Sequence, residues 1–179
     1  WHKASFATHR GTVRQEWADE GGGSGNPDYD EARYDGCPEQ VRMALRHMNE
    51  HVINVDLVME LLGYIDAELG DGAVLVFLPG LANITELLSA LVGSRAFGDP
   101  DKWRVLPLHS SLSPAEQQQV FETMPPGVRK VVLATNIAET SITIDDAVFV
   151  IDTGRAKQSM FDERKQMPVS YTHLRAHET

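Results

Sequence analysis

The stretch KVVLATNIAETSITIDDAVFVID, residues 130–152, holds two short apolar runs separated by a polar interval. Residues 130–134 and 147–152 read as β-strands. The interval opens on Thr135-Asn136 and continues through an acid, hydroxyls and a short apolar alternation to Asp145-Asp146. Small polar groups crowded at the end of a buried strand have two explanations. They form a well-capped turn, or they meet a ligand rich in hydrogen-bond acceptors.

The same texture extends outward from this stretch. AVLVFL (73–78), closed by Pro79-Gly80, and RVLPLH (104–109) are two further strands, the second imperfect because Pro107 has no N–H to donate. Helical patterns alternate with them. ITELLSALV (84–92) turns Ile84, Leu87, Leu88 and Leu91 inward, and SPAEQQQVF (113–121) opens with Ser113 as cap, Pro114 at the first helical position and Glu116 at the third. Upstream, NVDLVMELLGYIDAEL carries Leu57, Val58, Leu61, Leu62, Ile65 and Leu69 as one apolar stripe behind an Asn54 cap. A shorter helix starts near Pro38, with Val41, Leu45 and Met48 on one face. Apolar strands separated by helices imply a parallel sheet covered on both faces, a doubly wound α/β domain. Ligands of such sheets bind beyond the carboxyl ends of the strands, here Pro79-Gly80, His109-Ser110-Ser111, Thr135-Asn136 and Asp152-Thr153-Gly154.

The 179 residues suffice for one core with a tail. The chain begins with Trp1, which suggests processing or a fragment. No apolar run has the length of a membrane span. The single cysteine, Cys37, excludes an internal disulfide and fits a reducing compartment, cytoplasmic or nuclear. The net charge, 16 bases against 26 acids, is −10 and argues against nonspecific nucleic-acid binding. Residues 1–70 account for −7 of it (6 bases, 13 acids) and residues 71–179 for −3 (10 bases, 13 acids), so a local phosphate-binding face remains open in the second part. Residues 1–36 read as a flexible acidic, Gly-rich linker, 37–53 as a helical lead-in and 54–169 as the folded domain.

Several features have plain explanations. His47 and His51 stand four apart on a helix without a third ligand, and solvent-facing histidines account for them; His173 and His177 repeat that spacing. No Walker A Gly-Lys-Thr and no nucleophile elbow occur. Taken singly, Ser110 or Thr143 is an ordinary turn or cap residue. Composition and spacing by themselves lead to an α/β domain with a phosphate-friendly strand-end edge.

VLVFLPG, then PLHSSLSPAEQQQVF, then RKVVLATNIAETSITIDDAVFVIDTGRAKQ together resemble the second RecA-like domain of a DEAH/RHA-type superfamily 2 RNA helicase, from about residue 54 to residue 167. The Leu78-Pro79-Gly80 form suggests the multi-domain branch that includes quadruplex-resolving and ribosome-associated helicases. The resemblance implies that Thr135 and Asn136 contact the RNA backbone, with Ser110, Ser111 and Gly80 on the same edge. A hydroxyl and a carboxamide bond phosphate and ribose without reading a base, which suits stepping along any sequence. It also implies that Asp145 bonds the nucleotide ribose and that Ser141 and Thr143 sense the phosphates. Phe121 would sandwich adenine against an arginine of the first RecA-like domain, although core packing explains a Phe there equally well. Lys157 and Arg155, at the start of the family's hairpin, could touch phosphate or simply be solvated.

On this resemblance ATP and Mg2+ bind between this domain and a first RecA-like domain. RNA is the other ligand, and accessory C-terminal domains of the same chain are partners. No membrane is involved. The first RecA-like domain and the Gln-Arg-x-Gly-Arg-x-Gly-Arg block whose arginines neutralise the γ-phosphate do not occur in the sequence. The expectation is therefore a truncated fragment, inactive alone, with residues 170–179 a non-native tail. The parent would couple ATP hydrolysis to 3′-to-5′ movement on RNA. The competing readings are a non-catalytic RNA-binding scaffold of RecA-like fold and a flavodoxin-like nucleotide-binding domain. Asp145 and Thr143 favour the helicase over the scaffold, and the absence of a flavin or dinucleotide loop disfavours the third.

Overall fold

The computed structural model describes residues 26, 29–50, 52–135, 144–162 and 167–174. They fall into two compact units, Trp1–Val52 and Ile53–Thr179.

In the first unit a 3-10 turn, Glu31–Tyr34, precedes helix α1, Glu39–His47. Asp30 caps the turn by accepting from the Ala32 N–H, and Tyr29 stacks on Tyr34 with ring centroids 5.5 Å apart. Part of the expected linker is thus locally ordered, because a side-chain cap and two tyrosines substitute for a core. No residue of α1 is buried, and Val41, expected on an inward face, is exposed.

The second unit begins with helix α2, Val55–Glu68, capped by Asn54 Oδ1 accepting from the Leu57 N–H at 2.9 Å. Strand β1 (Ala73–Phe77), helix α3 (Leu81–Gly93), strand β2 (Trp103–Leu108), helix α4 (Pro114–Gln118), strand β3 (Arg129–Ala134) and strand β4 (Ala147–Asp152) follow. The four strands pair in parallel in the order β2-β3-β1-β4. Pro107 is tolerated because β2 is an edge strand. Alternation along the strands then builds two cores. On one face Val74, Val76, Val131, Leu133 and Ile151 pack with Val58, Leu62 and Ile65 of α2 and Ile84, Leu87 and Leu91 of α3. Phe97 and Trp103 close that layer edge-to-face at 4.7 Å. On the other face Phe77, Leu106, Leu108, Val132 and Ala134 pack with Val120 and Ile144. Both faces of the sheet carry a core, as the sequence implies, although Val148 and Val150 of the edge strand β4 stay exposed.

Two expectations change in detail. Leu57, Leu61 and Leu69 are exposed, so the stripe on α2 narrows to Val58, Leu62 and Ile65. A helix on a sheet buries one narrow strip, and a six-residue apolar set is wider than that. The segment 113–121 is not one helix: α4 ends at Gln118 and a 3-10 turn, Gln119–Phe121, takes over.

Beyond the sheet, strand β5 (Arg155–Asp162) and strand β6 (Met167–Leu174) form an antiparallel ribbon from the pair Arg155–Leu174 to the pair Asp162–Met167. The ribbon includes Ser170–Leu174, residues assigned from sequence to a non-native tail.

Candidate functional site

The carboxyl ends of the four strands lie level: Leu108 pairs with Ala134, Ala134 with Phe77, and Phe77 with Asp152. The residues just beyond them therefore share one edge, which gathers Gly80, Ser110, Ser111, Thr135 and Lys157. A Cβ built on Gly80 would stand 3.6 Å from Cδ of Lys157, so these two are neighbours across the β1 and β4 ends. Ser110, Ser111 and Lys157 are exposed, whereas Thr135 is only 8% exposed. Ser111 is held in place, its N–H donating to Nδ1 of His109 at 3.1 Å and its Oγ 2.8 Å from the same nitrogen. Thr153 donates its hydroxyl to the Phe77 carbonyl at 2.8 Å, and the Asp152 carboxylate accepts from the Gly154 N–H at 2.8 Å, where φ is +69°. The chain thus turns sharply from β4 into β5, which brings Lys157 back to the edge.

Phe121 and Asp145 lie at the opposite, amino edge. In a parallel sheet each connection must return from one edge to the other, about 3.3 Å per strand residue. The interval between β3 and β4 begins at Thr135 on the carboxyl edge and ends at Asp145 on the amino edge. Asp145 sits at the exposed tip of a tight turn closed by the Ala147 N–H donating to the Ile144 carbonyl at 3.1 Å. Ile144 is buried and fixes the turn from below. Phe121 ends the 3-10 turn with 49% of its surface exposed, while Val120 beside it is fully buried. Core packing is therefore the role of Val120, not of Phe121.

Lys130, which the sequence reading missed, joins these two places. It is 2% exposed, and its Nζ donates to the carbonyls of Val120 at 2.8 Å and Glu122 at 3.0 Å and meets Asp146 Oδ1 at 2.7 Å. The available signal was a lone lysine at the head of a buried strand, since buried lysines are rare unless paired. Asn136, Ser141 and Thr143 lie outside the described residues. Among the described residues no three His, Cys, Asp or Glu side chains are grouped to hold a metal ion, and no helix is long and apolar enough to cross a membrane.

The approach to Phe121 is set by the capping box. Glu116 accepts from Ser113 Oγ at 2.7 Å and from the Ser113 N–H at 2.8 Å, and these bonds hold its carboxyl below the usual carboxylate value. A depressed folded-state pKa makes this contribution fully present above the unfolded value, and it is lost as pH falls through the folded one. Glu116→Gln is expected to remove that part of the acid limb in denaturation curves taken over a pH series. A limb of unchanged shape would mean the box does not stabilise the turn.

A four-stranded parallel sheet in this order is the centre of a doubly wound α/β domain, the architecture that RecA-like domains share. Residues 51–175 match the family described as the helicase conserved C-terminal domain, and the chain belongs to that family as the second RecA-like domain of a DEAH-type helicase. It is 49% identical over 138 residues to the ATP-dependent RNA helicase DHX29 of Homo sapiens, covering 75% of this chain and 10% of that one. It is 48% identical over 123 residues to the ATP-dependent DNA/RNA helicase DHX36 of Mus musculus, covering 69% and 12%. The crystal structure of the E. coli DExH-box NTPase HrpB superposes with a TM-score of 0.60 at 30% identity, covering 72% of this chain and 15% of that one. The chain thus spans about a tenth of the length of these curated relatives.

Proposed function

We propose that this domain is part of an ATP-dependent RNA helicase, supplying RNA-backbone contacts from its carboxyl edge and one wall of the ATP site from its amino edge. The observation that carries this reading is the separation of the described candidates onto the two edges, joined by the single interval 135–146. ATP, with Mg2+, would lie between this domain and a first RecA-like domain, its base against Phe121 and its ribose against Asp145. An aromatic ring left half in water beside a buried valine suits base stacking, and a carboxylate at the tip of a pinned turn suits a ribose hydroxyl. RNA phosphates would meet Ser110, Ser111, Thr135, Asn136 and Lys157, with Gly80 allowing close approach. Ser141 and Thr143 would face the nucleotide phosphates. A shift of the shared interval with nucleotide state would then alter the grip on RNA, coupling hydrolysis to movement. Accessory C-terminal domains of the same parent would complete the machine, and its compartment would be cytoplasmic or nuclear.

Thr135→Val, which removes the hydroxyl and keeps the shape, tests this in the complete helicase. The RNA concentration that half-maximally stimulates ATP hydrolysis is expected to rise about tenfold or more, as for loss of one hydrogen bond to a charged group. Unchanged stimulation and unchanged RNA affinity would sink the RNA assignment of this edge. Retained RNA affinity without any ATP hydrolysis by the unsubstituted complete protein would favour the scaffold instead.

A further inference from the structure

We infer that Lys130 is a positioning residue of the nucleotide site, holding the base contact and the ribose contact at one fixed spacing. The inference rests on the assignment of Phe121 to the base and Asp145 to the ribose. An ammonium group has three protons and no acceptor. All three of its partners are accounted for: the Val120 carbonyl, the Glu122 carbonyl and the Asp146 carboxylate. The two carbonyls flank Phe121, and the carboxylate is next to Asp145. Neither ligand-facing residue is given a bond to Lys130, yet the backbone on each side of Phe121 and the side chain directly after Asp145 are tied to it. Asp146 is pinned a second time, its carbonyl accepting from the Ala73 N–H at 3.0 Å at the head of β1.

The chemistry requires a lysine. A guanidinium is planar and cannot direct donors to three acceptors around one nitrogen. The lysine side chain lies on the sheet face that carries Val132 and Ala134, and it is only 2% exposed. An enclosed ammonium with every proton committed has little freedom to move, and Phe121 and Asp145 inherit that rigidity. Binding of ATP is then spared the cost of ordering two separate loops.

The test is steady-state ATP hydrolysis by the complete helicase carrying Lys130→Met, which keeps an unbranched stem and removes charge and donors. KM for ATP is expected to rise about tenfold, and this rise should account for most of the loss in kcat/KM. Phe121→Ala and Asp145→Ala should each raise KM as well. Adding Lys130→Met to the double variant of those two should raise it less than about twofold further, since the groups it positions are gone.

A merely structural lysine would lower the active fraction, so kcat would fall with KM unchanged, and that result overturns the inference. If Phe121→Ala and Asp145→Ala raise KM and Lys130→Met does not, the nucleotide assignment stands and only the role of Lys130 is lost. If neither of those two changes KM, the assignment fails and the inference with it. Should Lys130→Met not fold, Asp146→Asn keeps an acceptor but removes the ion pair. It is expected to raise KM about threefold, and an unchanged KM overturns the inference.

Discussion

Gly72→Ala should lower the stability of the domain by about 2–4 kcal/mol. Gly72 has φ +134°, a conformation L side chains rarely adopt, and a Cβ there would lie 2.5 Å from Cγ2 and 2.6 Å from Cβ of Val148. The Cγ2 contact could be relieved by a side-chain rotation. The Cβ contact cannot, because that atom moves only with the backbone of β4. The strain therefore falls on the pairing of Ala73 with Ala147, beside the register shift in β1, and on the Ala73–Asp146 bond that supports the Asp145 turn. Gly70→Ala is the internal control, with φ +86° and nothing within 4 Å of the added carbon. It should cost about 1 kcal/mol, the conformational part alone. Urea denaturation of the two variants separates the terms, and equal losses would mean that the Val148 contact carries no weight.

Leu62→Ala should cost about 2–5 kcal/mol, while Leu61→Ala should stay within about 0.5 kcal/mol. The two are neighbours on α2 with the same side chain. Leu62 is 0% exposed in the core against β1 and α3, whereas Leu61 is 39% exposed. Truncating Leu62 leaves a cavity that the sheet beneath cannot fill, because β1, at its centre, is fixed by pairing on both sides. Truncating Leu61 removes atoms already partly in water. Denaturation midpoints decide it, and comparable losses would place the helix in a different rotation on the sheet.

The residues of α2 also mark where sequence reading reaches its limit. Periodicity identified the helix, its Asn54 cap and Val58, Leu62 and Ile65 as buried, yet it assigned Leu57, Leu61 and Leu69 to the same face. A helical wheel gives directions but not the width of the surface it meets. The capping box of Ser113 and Glu116 was legible to the atom, because its bonds join residues three apart. Phe121 was ambiguous between base stacking and core for the opposite reason. Which of Val120 and Phe121 faces inward depends on the 3-10 turn that replaces the last helical turn, and that turn is fitted to Lys130 on a different strand.

Strand order has the same status. The apolar runs at 73–78, 104–109, 130–134 and 147–152 declared a parallel sheet, but nothing local in them says that β1 lies between β3 and β4. Because β3 and β4 both run parallel to β1, Thr135 just after the one lies at the carboxyl edge and Asp145 just before the other at the amino edge. From the sequence both belonged to one polar stretch at a strand end. By itself the sequence determined what depends on near neighbours: strands, helices, caps, the family and the identity of the candidate residues. Only the tertiary structure decided which candidates share an edge, that Phe121 is turned outward, and that a buried lysine joins its turn to that of Asp145. Those facts rest on contacts between segments far apart in the chain, and the alternation of apolar and polar residues carries no information about such distances.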